Sequence, residues 1–241
     1  QPSPSFSVGD TLTVPAFSFQ FVGGGLYHTT TTCRLVGDHC YIFVEDDVWG
    51  TSRVTESGLS ALADAFDVKT AASVDQGIFT TVTDLFGQPP NVDGDPRILI
   101  VVLDILDSSS FTGASFIGYF DTDNQSPPTS REIIYVDTNP LNLDSNLARA
   151  TLAHEFQHMI HWGADPDEDK WVDEGCSEYA ELACGYKDTT KAGVEDFLSF
   201  ATNTSLTEWE DLPFDFEQAY LWMTYFVQRF GEQALRSLVA E

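Results

Sequence analysis

The chain has 241 residues, 42% apolar and 13% aromatic, enough for a sizeable core and not the composition of a disordered chain. Thirty-eight Asp and Glu against 11 Lys and Arg give a formal net charge of -27. Such a surface repels phosphate backbones and anionic headgroups, so no nucleic-acid partner and no membrane partner is expected. The longest apolar run, Ile98–Leu103, stops at Asp104, far short of the ~18 residues of a membrane span.

In chain order, QPSPSFSVG (residues 1–9) has a linker composition, and residues 1–10 are read as a linker or ragged N-terminus. Residues 11–142 are read as a β-rich part. TLTVPAF, SFQFV, TTTTCRLV and CYIFVED carry the Thr, Val, Phe and Tyr of strands, with a Gly37-Asp38 turn before the last. Thr55 is placed to cap a helix over residues 56–66, whose Leu59, Leu62 and Phe66 share a face. A helix or an extended segment leads to Phe86-Gly87. RILIVVLDI then reads as a fully buried strand, followed by SFIGYF and REIIYVD. Residues 143–241 are read as a helical part, with helices over 147–162, 171–183, 216–230 and 232–239. The expected class is α+β.

Four cysteines allow three pairings, and neither close pair has C-x-x-C spacing. They are read as structural disulfides of an exported protein, with Cys33–Cys40 bracing a hairpin. Cys176 and Cys184 pair only if their helix breaks before Gly185, because eight helical residues rise about 12 Å. No basic and apolar leader stands at the start, so a signal peptide is expected to have been removed.

The helix over 147–162 contains His154-Glu155-Phe156-Gln157-His158. Histidines at i and i+4 lie one turn apart on one face, close enough to bind one ion, and the glutamate beside the first points to a metal-activated water. A catalytic zinc needs a third protein ligand and an open position. Glu174, on the next expected helix, can be returned to the histidines by an antiparallel turn. Glu178, one turn on, shares its face and is the expected outer partner of a ligating ring, although the reverse assignment is also open. His161 sits seven residues from His154, about 10 Å along the axis, too far for one ion to bind all three histidines. It is read as structural or pocket-lining. Asp165, Asp167 and Asp169 alternate in the acidic loop GADPDEDK and make calcium a second candidate ion.

H-E-x-x-H followed by E-x-x-x-[DE] on the next helix resembles the gluzincin arrangement. More narrowly, the chain resembles the hyicolysin family of secreted bacterial neutral metalloproteinases. The residues carrying the likeness are Asp93-Gly94-Asp95-Pro96-Arg97-Ile98, Gly118-Tyr119-Phe120, Ser130-Arg131-Glu132, the stretch around His154 and His158, Trp171-Val172-Asp173-Glu174-Gly175, and Ala219-Tyr220-Leu221. Asp173 stands where such proteins usually have Asn, and Phe216 where they often have Tyr.

The resemblance implies a zincin-like fold and a secreted zinc metalloendopeptidase. It sets the zinc ligands as His154, His158 and Glu174, because it puts the third ligand immediately before the glycine. It also implies Glu155 as the general base, Tyr220 as a donor to the oxyanion, and a peptide or protein as substrate. The strand SFIGYF would be the edge that aligns an extended peptide. Two alternatives stand beside it: an extracellular surface or adhesive module with a structural or vestigial metal site, and a zinc aminopeptidase or amidase. A purely structural site would not need Glu155.

Overall fold

The computed structural model describes residues 5–108, 115–187, 192–200 and 204–240. The expected α+β class is the observed one. Six strands, β1 (Thr11–Ser18), β2 (Gly25–Val36), β3 (Cys40–Glu45), β4 (Ile98–Leu103), β5 (Gly118–Phe120) and β6 (Ile133–Asp137), form one sheet in the order β1-β2-β3-β4-β6-β5. β1, β2 and β3 are antiparallel, β3, β4 and β6 run parallel, and β5 pairs antiparallel with β6. Parallel neighbours need a long crossover, and β3 reaches β4 through α1 (Glu56–Asp67) and α2 (Ile78–Phe86). The helix-or-extended segment is thus a helix, with Ile78, Val82, Leu85 and Phe86 buried and Gly87 at φ 120° ending it. Thr55 caps α1 as expected, its side chain accepting from Gly58 N–H at 3.0 Å. The segment SFQFV is β only at Ser18. Beyond it the chain turns through Gly23 (φ 79°), backbone that a β-strand of L-residues does not adopt, before β2 begins at Gly25.

Alternation sorts the sheet residues onto two faces. Ile42, Val44, Ile100, Val102, Ile134 and Val136 meet the helices. Tyr41, Phe43, Leu99, Val101, Ile133 and Tyr135 face a second core, which the sheet covers by curling over itself. The long strand β2 bears an irregularity between Cys33 and Leu35, the kind of register shift that sharpens a bend. The β1–β2 hairpin thereby brings Val14 and Ala16 onto this face. Tyr135 O–H donates to the Pro15 carbonyl at 2.6 Å, and Phe17 N–H donates to the Tyr119 hydroxyl at 3.0 Å. The two strands at opposite ends of the hydrogen-bond order therefore lie side by side. Phe6 packs edge-on against Tyr41 and Phe43, with ring centroids 5.4 and 5.0 Å away. Residues 1–4 lie outside the described residues.

The cysteine expectation is corrected: all four are buried free thiols. Cys33 shares a face with Tyr41 and Phe43 while Cys40 lies on the helix side with Ile42 and Val44, so the sheet itself separates them. Cys176 and Cys184 also remain apart, because their helix continues to Ala183.

The remaining helices are α3 (Asn146–Ala164), α4 (Lys170–Ala183), α5 (Ala192–Phe200), α6 (Pro213–Phe230) and α7 (Gln233–Val239); α5 had no counterpart in the sequence reading. Among the described residues no helix is long and apolar enough to cross a membrane. Ser145 caps α3, accepting from Ala148 N–H at 3.1 Å. α3 buries Leu152, Ala153, Phe156, Met159 and Ile160 in the core and lies along β5 and β6 on the same side of the sheet. Its approach to β5 depends on Gly118, where a Cβ would stand 2.3 Å from Thr151 Cγ2 and 2.8 Å from the Tyr135 carbonyl. α4 returns antiparallel across α3, and α6 packs on α4.

Candidate metal centre

The turn between α3 and α4 brings the two helices back on each other, and three electron-pair donors converge between them. Donor atoms of His154, His158 and Glu174 all lie within 4.8 Å of one another. Glu174 Oε2 is 3.3 Å from His154 Nε2 and 3.6 Å from His158 Nε2. The other ring nitrogens are held from behind: His154 Nδ1 lies 2.8 Å from Glu181 Oε1, and His158 Nδ1 lies 2.9 Å from Asp173 Oδ1. A carboxylate at Nδ1 keeps a proton there and turns Nε2 of both rings toward the Glu174 carboxylate, where a bound cation would take their lone pairs. Ser177, fully buried, adds its hydroxyl 3.1 Å from His158 Nδ1.

Electrostatics agree with this geometry. Burial alone would push the histidines down, but the surrounding carboxylates raise His154 well above its ordinary value and His158 to about 10. Burial alone would raise Glu174 and Asp173, yet the histidines hold Glu174 at about 2 and Asp173 well below the usual carboxylate range. The cluster is a nest of carboxylates that calls for positive charge at its centre. Glu174 Oε2 is a buried acceptor without a hydrogen-bond partner, and two imidazoles with one carboxylate form a donor set suited to zinc. The residues present fit the ion.

Glu155 is beside the cluster in the same cleft of about 1210 Å³, together with His154, His158, Glu174, Phe120 and Phe216. The Glu155 carboxylate lies near the Phe120 backbone of β5. Burial raises its pKa, and the two histidines pull it back.

Other expected residues lie differently. Glu178, expected beside a ligating ring, lies within 4.8 Å of a His154 ring nitrogen and is paired with Lys187. The partner of that ring is Glu181, one turn further. Glu178 does belong to a second group, with His154 and Glu181, whose donor atoms lie within 4.8 Å. Lys187 Nζ supplies positive charge there and also lies 3.8 Å from Glu217. Burial and Glu181 push Glu178 up to about 7, with Lys187 opposing. Tyr220 is one turn beyond Phe216 on α6, its ring 5.0 Å from Lys187 Nζ. Phe216 lines the cleft instead.

His161 is buried and stands 3.1 Å from Asp173 Oδ1, so it braces the residue that braces His158. Gly175 lets α6 approach closely, since a Cβ there would stand 3.2 Å from the Ala219 carbonyl. In the acidic loop, Asp165 Oδ1 accepts from Asp167 N–H at 3.1 Å and Asp169 stands at the N-cap position before α4. Among the described residues these carboxylates form no group of three close donors.

Asp173 and Glu181 had not been singled out as the histidine partners. The signal was present: Glu181 stands at i+7 from Glu174, two helical turns along the same face, and Asp173 immediately precedes the ligand candidate.

No family model matches the chain. It is 29% identical over 218 residues to the neutral metalloprotease ShpI of Staphylococcus hyicus, covering 82% of this chain and 47% of that protein. This chain is a distant homologue of a neutral metalloprotease. It spans about half the length of the curated relative it matches.

Proposed function

We propose that the chain is the catalytic part of a secreted zinc metalloendopeptidase of the hyicolysin type, with the gluzincin ligand set His154, His158 and Glu174. The observation that carries the reading is the convergence of these three donors within 4.8 Å beside Glu155, in a cleft open to a polypeptide. Homology to a neutral metalloprotease supports the same class, and the strong acidity suits a salty extracellular medium.

Zinc bound there would act as a Lewis acid on the scissile carbonyl and acidify water. Glu155 accepts a proton from the attacking water and later delivers it to the leaving amine nitrogen. Burial raises the pKa of this carboxyl, and a pKa moved toward neutrality suits both roles, because the carboxylate then takes the proton more readily and can still give it up to an amine. Glu181 and Asp173 fix the ring orientations of His154 and His158.

β5 aligns the substrate. Asp137 N–H donates to the Ile117 carbonyl, so strand alternation turns the Gly118 and Phe120 backbone groups away from β6 and toward the cleft. An extended peptide adds there as a further strand. Tyr220, whose ring lies 5.0 Å from Lys187 Nζ, is the oxyanion donor that the motif implies.

The test is metal analysis of the purified chain with a casein digest, before and after a chelator. Stoichiometric zinc with chelator-sensitive cleavage is expected; cleavage indifferent to chelator sinks the reading.

A further inference from the structure

Facing the metal cluster, the cleft has a wall of apolar side chains that the mechanism does not use. Phe17, Phe19 and Leu26 come from the β1–β2 hairpin, and Phe116 and Tyr119 from the segment entering and forming β5. Phe17, Leu26 and Phe116 are 40%, 65% and 48% exposed. That is a large apolar area left open by a chain of net charge -27.

The wall is built rigidly. The Phe19 ring stacks on Phe116 at 4.0 Å and meets Phe17 and Tyr119 edge-on at 5.1 and 5.4 Å. The hairpin backbone is pinned by Phe19 N–H to the Leu106 carbonyl (2.7 Å), by Phe17 N–H to the Tyr119 hydroxyl and by Phe21 N–H to Ser108 Oγ (3.0 Å). Rings held in place before binding lose little entropy when a ligand covers them.

We propose that this wall is a specificity surface that takes a large apolar side chain, an aromatic one best, from an extended polypeptide lying on β5; the proposal rests on the peptidase reading above. Register supplies the occupant. Side chains directly opposite each other on paired strands point to the same face. A substrate residue laid opposite Tyr119 therefore sends its side chain to the face where Tyr119 meets Phe19, and residues two before and two after it follow. The wall is continuous with the cleft that holds Glu155 and the metal cluster, so one chain can occupy both.

The experiment separates this proposal from the reading beneath it. The zinc-loaded Glu155→Gln protein is titrated with fluorescein-labelled peptides that differ only in one Phe, Ala or Asp, and binding is followed by anisotropy. The Phe peptide is expected to bind about tenfold tighter than the Ala peptide, the order of magnitude for partly burying one ring. Adding Phe17→Ser and Phe116→Ser, both at exposed positions, should bring the two affinities to within about twofold of each other, with the melting temperature as a check on folding. Equal affinities for Phe and Ala peptides, no binding, or a preference that survives the double change overturns the proposal. So does a dimer that dissociates in the double variant while no peptide preference exists, since the wall would then belong to a second copy. If the Phe peptide binds as expected but the chain with Glu155 intact does not cut it, the peptidase reading fails and the wall stands. Cutting without side-chain preference has the opposite meaning.

Discussion

Glu181 Oε1 lies 2.8 Å from His154 Nδ1, seven residues beyond Glu174 on the same helix. α4 thus touches the His154 ring from both ends, with Glu174 at Nε2 and Glu181 at Nδ1. The carboxylate between them, Glu178, is drawn aside by Lys187. This arrangement assigns different consequences to two neighbouring glutamates.

Glu181→Ala should weaken zinc binding by about 10- to 100-fold, the usual cost of losing an outer partner of a ligating histidine. Glu178→Ala should cost less zinc affinity and more stability, because it leaves the Lys187 ammonium buried without its closest partner. Chelator competition reads the first effect and thermal melting the second. The reverse pattern would restore Glu178 as the histidine partner.

Glu155→Gln should retain zinc and lose roughly 10²- to 10⁴-fold in turnover, because the base is gone while the ligands remain. Glu174→Ala should lose zinc and activity together, with two protein ligands left. Metal content measured beside peptide cleavage distinguishes the two. Full activity in Glu155→Gln would end the proposed mechanism.

Gly118→Ala should destabilise the protein by about 1–3 kcal/mol, the usual cost of forcing atoms into a packed contact. The added Cβ meets both Thr151 Cγ2 and the Tyr135 carbonyl, so α3 must move off β5 and carry Glu155 with it. Thr151→Ser removes the first clash only and should restore part of the loss. A Gly118→Ala protein with unchanged melting and turnover would show that the close approach is dispensable.

Asp137 is buried at the end of β6, and burial pushes its carboxyl up to about 6, against the backbone N–H groups of Ile105, Thr138 and Asn139. The folded state therefore holds this proton more tightly than the unfolded chain, and its contribution to stability falls as pH rises from about 4 to about 6. Asp137→Asn loses the titration and a hydrogen-bond acceptor at every pH. The melting temperature of the variant should lie furthest below that of the parent near pH 4, and the gap should narrow by pH 7. A gap that widens over that range would mean the carboxyl is stabilised, not strained, by its surroundings.

Local pattern was enough for the parts that depend on neighbours in sequence. The Thr55 cap, the buried run of β4 and the placement of His154 and His158 on one face of α3 follow from capping chemistry, an uninterrupted apolar run and the helical period of 3.6 residues, which packing did not override. The return of Glu174 to the histidines was legible for the same reason, since two amphipathic helices joined by a short loop pack antiparallel. Other features depended on where distant segments meet. Glu178 and Glu181 offer the same group on the same face, and only the crossing of α4 over α3, with Lys187 arriving from beyond the helix, decides between them. Cys33 and Cys40 are close in sequence yet are separated by the sheet, because a register set by the whole strand pair turns them to opposite faces. The aromatic wall has no local signature: Phe17 and Phe116 meet the same cleft only because the sheet curls until its first and last strands lie side by side, a shape fixed by burying its second face against itself.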